Sequence, residues 1–333
     1  TLFDGLQMFA MKNKLGYLEN LGAVNTRYYI EETIFSLALA YFQLVKENDK
    51  LKILQETKKF SKDRLDLEKK KFEIGKTSIL EQQQAEYDFN QDSISYLQQL
   101  ITIKSLVSQI NTAINSETNS YFYPKDSLAF DGKLDLQALQ QLTFDKNLDL
   151  SMDKIKKLIT QEDINIIKSS FYPQLDVFAS YNYQSQNNNA SIYKSNQLNG
   201  VTYGLTFSFN LYNGEKTTIA YQNAKIDAEN AEFSISDKKN QLSKTLDDLF
   251  SQYVSLKKIY EILKSNVKLS ANSLNIAEQK LLEGSINGFD FRQVQLNYLN
   301  AQNAVTNITY AIKINELELQ KLAGGLTEYI LNN

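Results

Sequence analysis

Cysteine and histidine are both absent from this chain of 333 residues. Without cysteine there is no disulfide framework and no thiolate chemistry, and the redox compartment stays undecided. Without histidine, the usual ligand for zinc or haem and the usual general base are missing. Proline occurs 2 times and glycine 12 times, so long stretches run without a helix breaker. The formal charge of −3 gives no basic excess for nucleic acid. No apolar run approaches the ~20 residues of a membrane-spanning helix. No signal peptide is visible, but the chain opens mid-phrase, so that absence means little. What remains is 42% hydrophobic and 23% charged residues, the balance of folded protein. The length suits two ordinary domains or one long repeat.

The repeat is written in the sequence. "LFDG" (2–5) and "LYNG" (211–214) stand 209 residues apart. At that offset Lys71 falls on Lys280 and Gly75 on Gly284 without a gap. Beyond the glycines "GKTSILEQQQAEYDF" lies over "GSINGFDFRQVQLNY", so that Leu80 meets Phe289, Glu81 meets Asp290 and Gln84 meets Gln293. Identities are few, but punctuation and spacing coincide over more than about a hundred residues, which marks a duplicated unit.

Between Gly214 and Gly284 there is no glycine or proline. Positions 242, 246, 249, 253, 256, 260, 263, 267, 270, 274, 277 and 281 keep a 4-3 spacing in which Ser270 is the one polar member. That is a heptad seam, and it predicts a long coiled-coil helix. The first copy keeps Leu37, Ala40, Leu44, Leu51, Leu54, Leu65 and Phe72, with Glu47, Lys58 and Glu68 interrupting. Some 70 helical residues reach roughly 100 Å. Second periodic segments follow over 77–114 and 288–322, so each copy predicts a helical hairpin turning at Gly75 or Gly284, where glycine takes positive φ without penalty. "LAGG" (322–325) supplies a further helix stop, while Gly16 and Gly22 are read as tolerated inside the first helix.

Between the copies the period changes to two. From Phe171 to Ser185 and from Val201 to Leu211 the odd positions are mostly apolar and the even ones mostly polar, which predicts two strands joined by a long polar connection, 186–200. The odd face carries Leu175, Val177, Tyr181, Tyr183, Val201, Tyr203, Leu205, Phe207 and Phe209. A soluble half-buried hairpin is the commoner reading a priori. It needs a second apolar layer, and no other strand-rich region of comparable size exists here. Lipid covers such a face instead, and strands of roughly 10 to 14 residues suit a tilted crossing, with the polar face lining water. By the repeat, "LFDG" is the tail of a strand whose body is expected upstream of Thr1. Four strands cannot close a barrel and an open edge in lipid is not viable, so copies of the subunit must share one barrel; physics alone does not choose between two and three copies.

At this point the chain resembles the TolC-type outer-membrane efflux proteins. The residues carrying the resemblance are the two junctions, "SSFYPQLDVFASYNY" at the strand entry, "IGKTSILEQQQAE" and "EGSINGFDFRQVQ" at the tips, and "AIKINELELQKLAGG" at the end. No single motif is very specific; their order, duplication and spacing together are. The resemblance implies a homotrimer that is mainly α with transmembrane β: a shared twelve-stranded β-barrel on a long α-helical tube. It implies a passive conduit in the outer membrane of a Gram-negative bacterium, partnered by a periplasmic adaptor and an inner-membrane pump, without cofactors or chemistry of its own. The expected divisions are 1–5, the end of a first strand hairpin; 6–114, the first helical hairpin; 115–168, an equatorial belt and return helix containing "FYPKDSLAF"; 169–213, the second strand hairpin; 214–323, the second helical hairpin; and 324–333, a tail. Leu148 departs from the family, which commonly has proline after Asn147.

The resemblance also implies acidic rings just beyond the tips that narrow the periplasmic mouth, matched here by Asp290 and Glu81. The next inward positions, acidic in some relatives, are Gln293 and Gln84, which weakens a double ring. A basic latch found in some relatives falls on Ile286, leaving Arg292 or Lys76 as substitutes. The plainer role for Glu81 and Asp290 is to complement a helix dipole. Residues 58–76 carry eight basic and four acidic side chains, against two and two in 267–285. A solvated coiled-coil face accounts for that excess more simply than partner docking. The sequon at 189–191 reads as chance. The 20 Tyr and 18 Phe suit interfacial girdles, Tyr183 and Tyr203 toward one rim and Tyr172 and Tyr212 toward the other. No carboxylate pair sits in an apolar pocket pattern. The rival reading, a soluble coiled-coil scaffold or adaptor, explains the heptads and not the strand faces.

Overall fold

The computed structural model describes residues 1–117, 122, 124, 128–130, 134–187, 192 and 195–332. The sequon and much of the expected belt lie outside the described residues. In order the elements are α1 (Gln7–Glu73), α2 (Ile79–Ala113), α3 (Leu136–Lys146), α4 (Leu148–Ser169), β1 (Gln174–Asn187), β2 (Ser195–Ser208), α5 (Lys216–Glu283), α6 (Gly288–Leu322) and α7 (Leu326–Asn332). The chain divides into two compact units, Thr1–Tyr28 with Leu148–Gln241, and Tyr29–Asn147 with Leu242–Asn333.

The unit Tyr29–Asn147 with Leu242–Asn333 is built from the heptads. All twelve seam positions from Leu242 to Leu281 are buried or half-buried, Leu246 to 1% exposure. Leu274, Ala277 and Leu281 of α5 pack on Phe291 of α6. In the first hairpin Leu44 of α1 packs on Ile103, Val107 and Ile110 of α2. Deleting a side chain such as Leu44, with no exposure at all, costs about 2–5 kcal/mol through lost burial and the cavity left behind. Phe72 departs from the seam: it is exposed, whereas its counterpart Leu281 in the second copy is buried. Glu47 and Glu68 do not interrupt burial, since each is buried with a partner. Glu47 accepts from Gln43 Nε2 at 2.7 Å and Gln99 Nε2 at 2.7 Å, and Glu68 pairs with Lys71 at 2.9 Å. The end of the chain is a short helix that the heptads do not foretell. Leu326 of α7 is fully buried, and the Lys313 ammonium donates to the Tyr329 hydroxyl at 2.9 Å.

In the unit Thr1–Tyr28 with Leu148–Gln241, α4 is tied to the N-terminal parts of the long helices. Lys14 pairs with Asp163 at 2.5 Å, and Lys157 pairs with Glu232. Phe171 meets Tyr221 edge-to-face with ring centres 5.9 Å apart. Strands β1 and β2 form an antiparallel ladder running from Gln174↔Ser208 to Asn187↔Ser195. The strands are therefore longer toward the connection than the alternation suggests, and β1 starts later, at Gln174 rather than Phe171. Backbone pairing needs no apolar side chain, so polar residues such as Gln186 and Asn196 continue it. Phe209 lies just past the end of β2. Tyr203 faces Ala179 inside the ladder. Phe3 bridges Leu175 in antiparallel fashion, donating its N–H to the Leu175 carbonyl at 3.1 Å and accepting from the Leu175 N–H at 2.8 Å.

Both strand-to-helix junctions adopt one backbone solution. Gly5 and Leu6 take φ of 67° and 70°, and Gly214 and Glu215 take 66° and 64°. Only glycine meets this left-handed conformation without strain, so Leu6 and Glu215 each carry a cost of about 1–2 kcal/mol. At the first junction Asp4 Oδ2 accepts the Met8 N–H at 2.9 Å, capping the new helix.

Candidate functional site at the hairpin tips

Each tip is closed by two opposed capping devices. Gly75 at φ 68° and Gly284 at φ 75° end the long helices. The next N–H reaches back five residues, from Lys76 to the Lys71 carbonyl and from Ser285 to the Lys280 carbonyl, both at 2.8 Å. This is the Schellman arrangement, which satisfies carbonyls the helix end would leave bare. Three residues further, Ser78 accepts from the Glu81 N–H at 3.3 Å and Asn287 from the Asp290 N–H at 2.8 Å. Glu81 and Asp290 thus occupy the same early-turn place in α2 and α6, where a carboxylate complements the dipole. Asp290 is exposed and Glu81 half-exposed, with Glu81 Oε2 set against Gly288. Gln84 donates to Asp88 and Gln293 to Asn297, each at 3.1 Å and four residues along its own helix, and both glutamines are exposed.

Arg292 turns away from Asp290 and into the contact between the two hairpins. Its Nη1 donates to Asp92 Oδ2 and its Nη2 to Asp92 Oδ1, both at 2.8 Å, a bidentate pair. Nη1 also donates to Gln295 Oε1 at 2.9 Å. The Ser61 hydroxyl donates to the same Asp92, and Gln295 Nε2 reaches the Thr57 carbonyl at 3.5 Å. Beside this group Arg64 Nη1 donates to Asp88 Oδ2 at 2.7 Å, while Arg64 Nε is buried without a partner. Side-chain exposures are 14% for Arg292, 9% for Asp92, 2% for Arg64 and 10% for Asp88. Burial pulls the Arg292 pKa down. The hydrogen bond and charge of Asp92, with the charge of Asp88, outweigh it and hold the guanidinium above its ordinary value. Lys76, the other candidate latch, is exposed and has no such contact.

Of this group Arg292 stands out in the sequence, and Asp92, Asp88, Arg64 and Ser61 do not. Ser61 is a polar seam position matching Ser270, and it was the available signal. Two arginines and two carboxylates in one buried contact can hold helices together and release them. Among the described residues no acidic cluster is arranged to hold a metal, and no helix is long and apolar enough to cross a membrane.

A duplicated helical hairpin joined through an amphipathic strand pair defines a class of tube-building subunits. The model of the family "Outer membrane efflux protein" matches residues 139–325, more than half of the chain, and the chain belongs to that family. The outer membrane protein TolC of Vibrio cholerae is 23% identical over 326 residues, covering 89% of this chain and 68% of the relative. TolC of Escherichia coli is 21% identical over 311 residues, covering 89% and 62%. The chain thus spans about two thirds of the length of these relatives. Among solved structures, the outer membrane protein VceC of Vibrio cholerae superposes with a TM-score of 0.74 at 16% identity, covering 95% of this chain and 75% of its own. That likeness establishes the fold of the outer-membrane channels, long α-helical hairpins with β-strand pairs.

Proposed function

We propose that this chain is a subunit of an outer-membrane exit duct, a passive channel of a tripartite efflux or type I secretion system. Three copies complete a barrel and tube in the outer membrane of a Gram-negative bacterium, with the helices in the periplasm, and an adaptor and inner-membrane pump deliver substrate. The observation that carries this reading is the odd face of the β1–β2 hairpin. Tyr181, Val201, Tyr203, Leu205 and Phe207 are each 66–81% exposed, and the register sets Val177 beside Leu205 and Leu175 beside Phe207 on one side. Water does not tolerate an apolar surface of that extent, and lipid does. Asp290 and Glu81 narrow the periplasmic mouth, and the Arg292–Asp92 pair keeps the tips closed at rest. The deciding measurement is the native mass of the full-length protein after detergent extraction. A trimer confined to the outer-membrane fraction supports the duct; a monomer or dimer soluble in plain buffer overturns it and leaves a coiled-coil scaffold.

A further inference from the structure

Within the unit Tyr29–Asn147 with Leu242–Asn333, α1 and α6 leave between them a polar crevice of about 260 Å³, lined by Lys46, Glu47, Lys50, Asn303, Thr306 and Asn307. Lys46 and Lys50 share one face of α1, and Asn303, Thr306 and Asn307 share one face of α6, because residues three and four apart on a helix are neighbours. Glu47 is already committed. Its oxygens accept from Gln43 Nε2 and Gln99 Nε2, each at 2.7 Å, and the Lys46 ammonium lies 3.5 Å from Oε1. The same ammonium stands 4.7 Å over the centre of the Tyr310 ring, so Lys46 is held in position with its side chain 19% exposed. Lys50 is half-buried and has no ion pair or hydrogen bond among the described residues, and neither have the side chains of Asn303, Thr306 and Asn307. Nearby residues of the same types do bond back to their own helices, Asn48 to the Leu44 carbonyl at 2.9 Å and Thr309 to the Val305 carbonyl at 2.8 Å. The duplication supplies a comparison. At the offset of 209, Glu47 and Lys50 match Leu256 and Ile259, while Asn303 and Thr306 match Ile94 and Leu97. The repeat unit thus has apolar residues at these places in its other copy, and helix packing alone does not ask for polar ones.

We infer that this crevice is a binding site for a small tetrahedral oxyanion of the phosphate or sulfate class. Lys46 and Lys50 bring two positive charges against the single carboxylate of Glu47, and the Asn303 and Asn307 amides and the Thr306 hydroxyl add neutral donors. An anion between the two ammonium groups gains charge-assisted hydrogen bonds, and it supplies the counter-charge that half-buried Lys50 lacks. Glu47 does not fill that role, since Gln43, Gln99 and Lys46 already occupy its oxygens. Size and lining choose the source of the anion. Water takes about 30 Å³ a molecule, so the crevice has room for a free anion with a few waters. None of the residues lining it is apolar, so nothing there receives an acyl chain or an aromatic ring. The bound anion bridges α1 to α6 and so ties the first hairpin to the second. Nothing in this inference depends on the exit-duct reading.

The test is isothermal titration calorimetry of inorganic phosphate into the full-length protein in detergent, with ionic strength held constant by sodium chloride. Saturable binding of one phosphate per chain is expected, with sulfate competing for the same site. Lys50→Gln should weaken it about tenfold, the worth of one hydrogen bond to a charged group. Asn307→Asp, which sets a carboxylate at the exposed side of the crevice, should weaken it at least as much. Lys52→Gln should leave it unchanged, because Lys52 is 74% exposed and pairs with Asp49 outside the crevice. The melting temperature should rise with phosphate in the unaltered protein and hardly at all in Lys50→Gln. No saturable binding above the chloride background, or an equal loss in Lys52→Gln, overturns the proposal. Tighter binding of phenyl phosphate than of phosphate overturns the assignment to a free anion. A changed native oligomer in Lys50→Gln overturns it too, because the lysine then meets an acidic group of another copy of the chain. An outer-membrane trimer that binds no phosphate overturns this site alone and leaves the exit duct standing.

Discussion

Removing Asp92 alone should damage the protein more than replacing Asp92 and Arg292 together. In Asp92→Ala the Arg292 guanidinium stays in place with its side chain 14% exposed, hydrogen-bonded to Gln295 and Ser61 and with the Asp88 charge, already paired to Arg64, nearby. Stripping a buried charge of its partner costs about 3–5 kcal/mol, and the residual access of water puts this site near the lower end, about 3 kcal/mol. Arg292→Met should cost slightly less, about 2–3 kcal/mol, because Asp92 keeps the Ser61 hydroxyl. The double variant Asp92→Leu with Arg292→Met removes both desolvated charges and fills their space, so its cost should be about 1 kcal/mol or less. The shortfall from additivity, several kcal/mol, is the coupling to be measured. Urea midpoints followed by far-UV circular dichroism in detergent give it, and strictly additive single and double variants would refute the lock. The sign of the pH effect follows from the raised Arg292 pKa. The stability tied to its proton is complete throughout the range below the ordinary arginine value and is lost only above it, so the Arg292→Met penalty should be equal at about pH 7 and pH 9. If the pair also closes the duct, Asp92→Ala raises single-channel current in planar bilayers; an unchanged current confines its role to stability.

Gly75→Ala and Gly284→Ala each force a side chain into left-handed backbone at a cost of about 1–2 kcal/mol, and Gly75→Ala should speed trypsin cleavage at the neighbouring lysines. Leu205 and Thr206 are adjacent but lie on opposite faces of β2. Leu205→Arg should therefore cut the outer-membrane yield through a penalty of about 2–4 kcal/mol in lipid, and Thr206→Arg should not. Burial raises the pKa of Glu318, with Lys321 opposing it in part, so the folded state holds that proton more tightly than the unfolded chain. Stability then falls as pH rises from the ordinary 4.5 through the folded value, and Glu318→Gln should raise the melting temperature at neutral pH and lose that gain in acid.

The sequence carried the periodic features well, because periodicity is a property of the chain before it folds. The offset of 209 matches α2 to α6 at both ends, Ile79 to Gly288 and Ala113 to Leu322. The strand ladder was legible only where the pleat alternates. Past Tyr183 the residues of β1 are polar on both faces, and pairing set by the backbone carries on unannounced. Helix α7 was invisible for a related reason: at 7 residues it is too short to show a period, and the buried Leu326 and the Tyr329 hydroxyl bond hold it. The tip contact was half legible. Arg292 could be read from its place after the turn, but Asp92 and Asp88 sit as polar members of the α2 stripe that faces α1, where they bond Ser61 and Arg64. Nothing in the first hairpin alone foretells that an arginine from α6 joins them.

The duplication bears on the lock in a further way. At the offset of 209, Arg292 matches Gln83, Asp92 matches Ala301, Asp88 matches Asn297 and Arg64 matches Ser273. Every charged member has an uncharged counterpart, so α2 set against α6 has one charged arrangement and no mirrored copy. In a ring where first and second hairpins alternate, a hairpin has two flanks, and the bidentate pair occupies only one of them. The contact from the second hairpin to the first hairpin of the next subunit must therefore rely on other residues, because Asp92 already has both oxygens on Arg292. A ring with every junction equally charged would resist opening everywhere. One with strong and weak junctions in alternation opens at the weak ones first, with each pair of hairpins moving as a unit. On the exit-duct reading, a cysteine crosslink between subunits at the tips should block opening more completely than one across Arg292 and Asp92. With no native cysteine in the chain, the two crosslinks can be compared on an otherwise unchanged background.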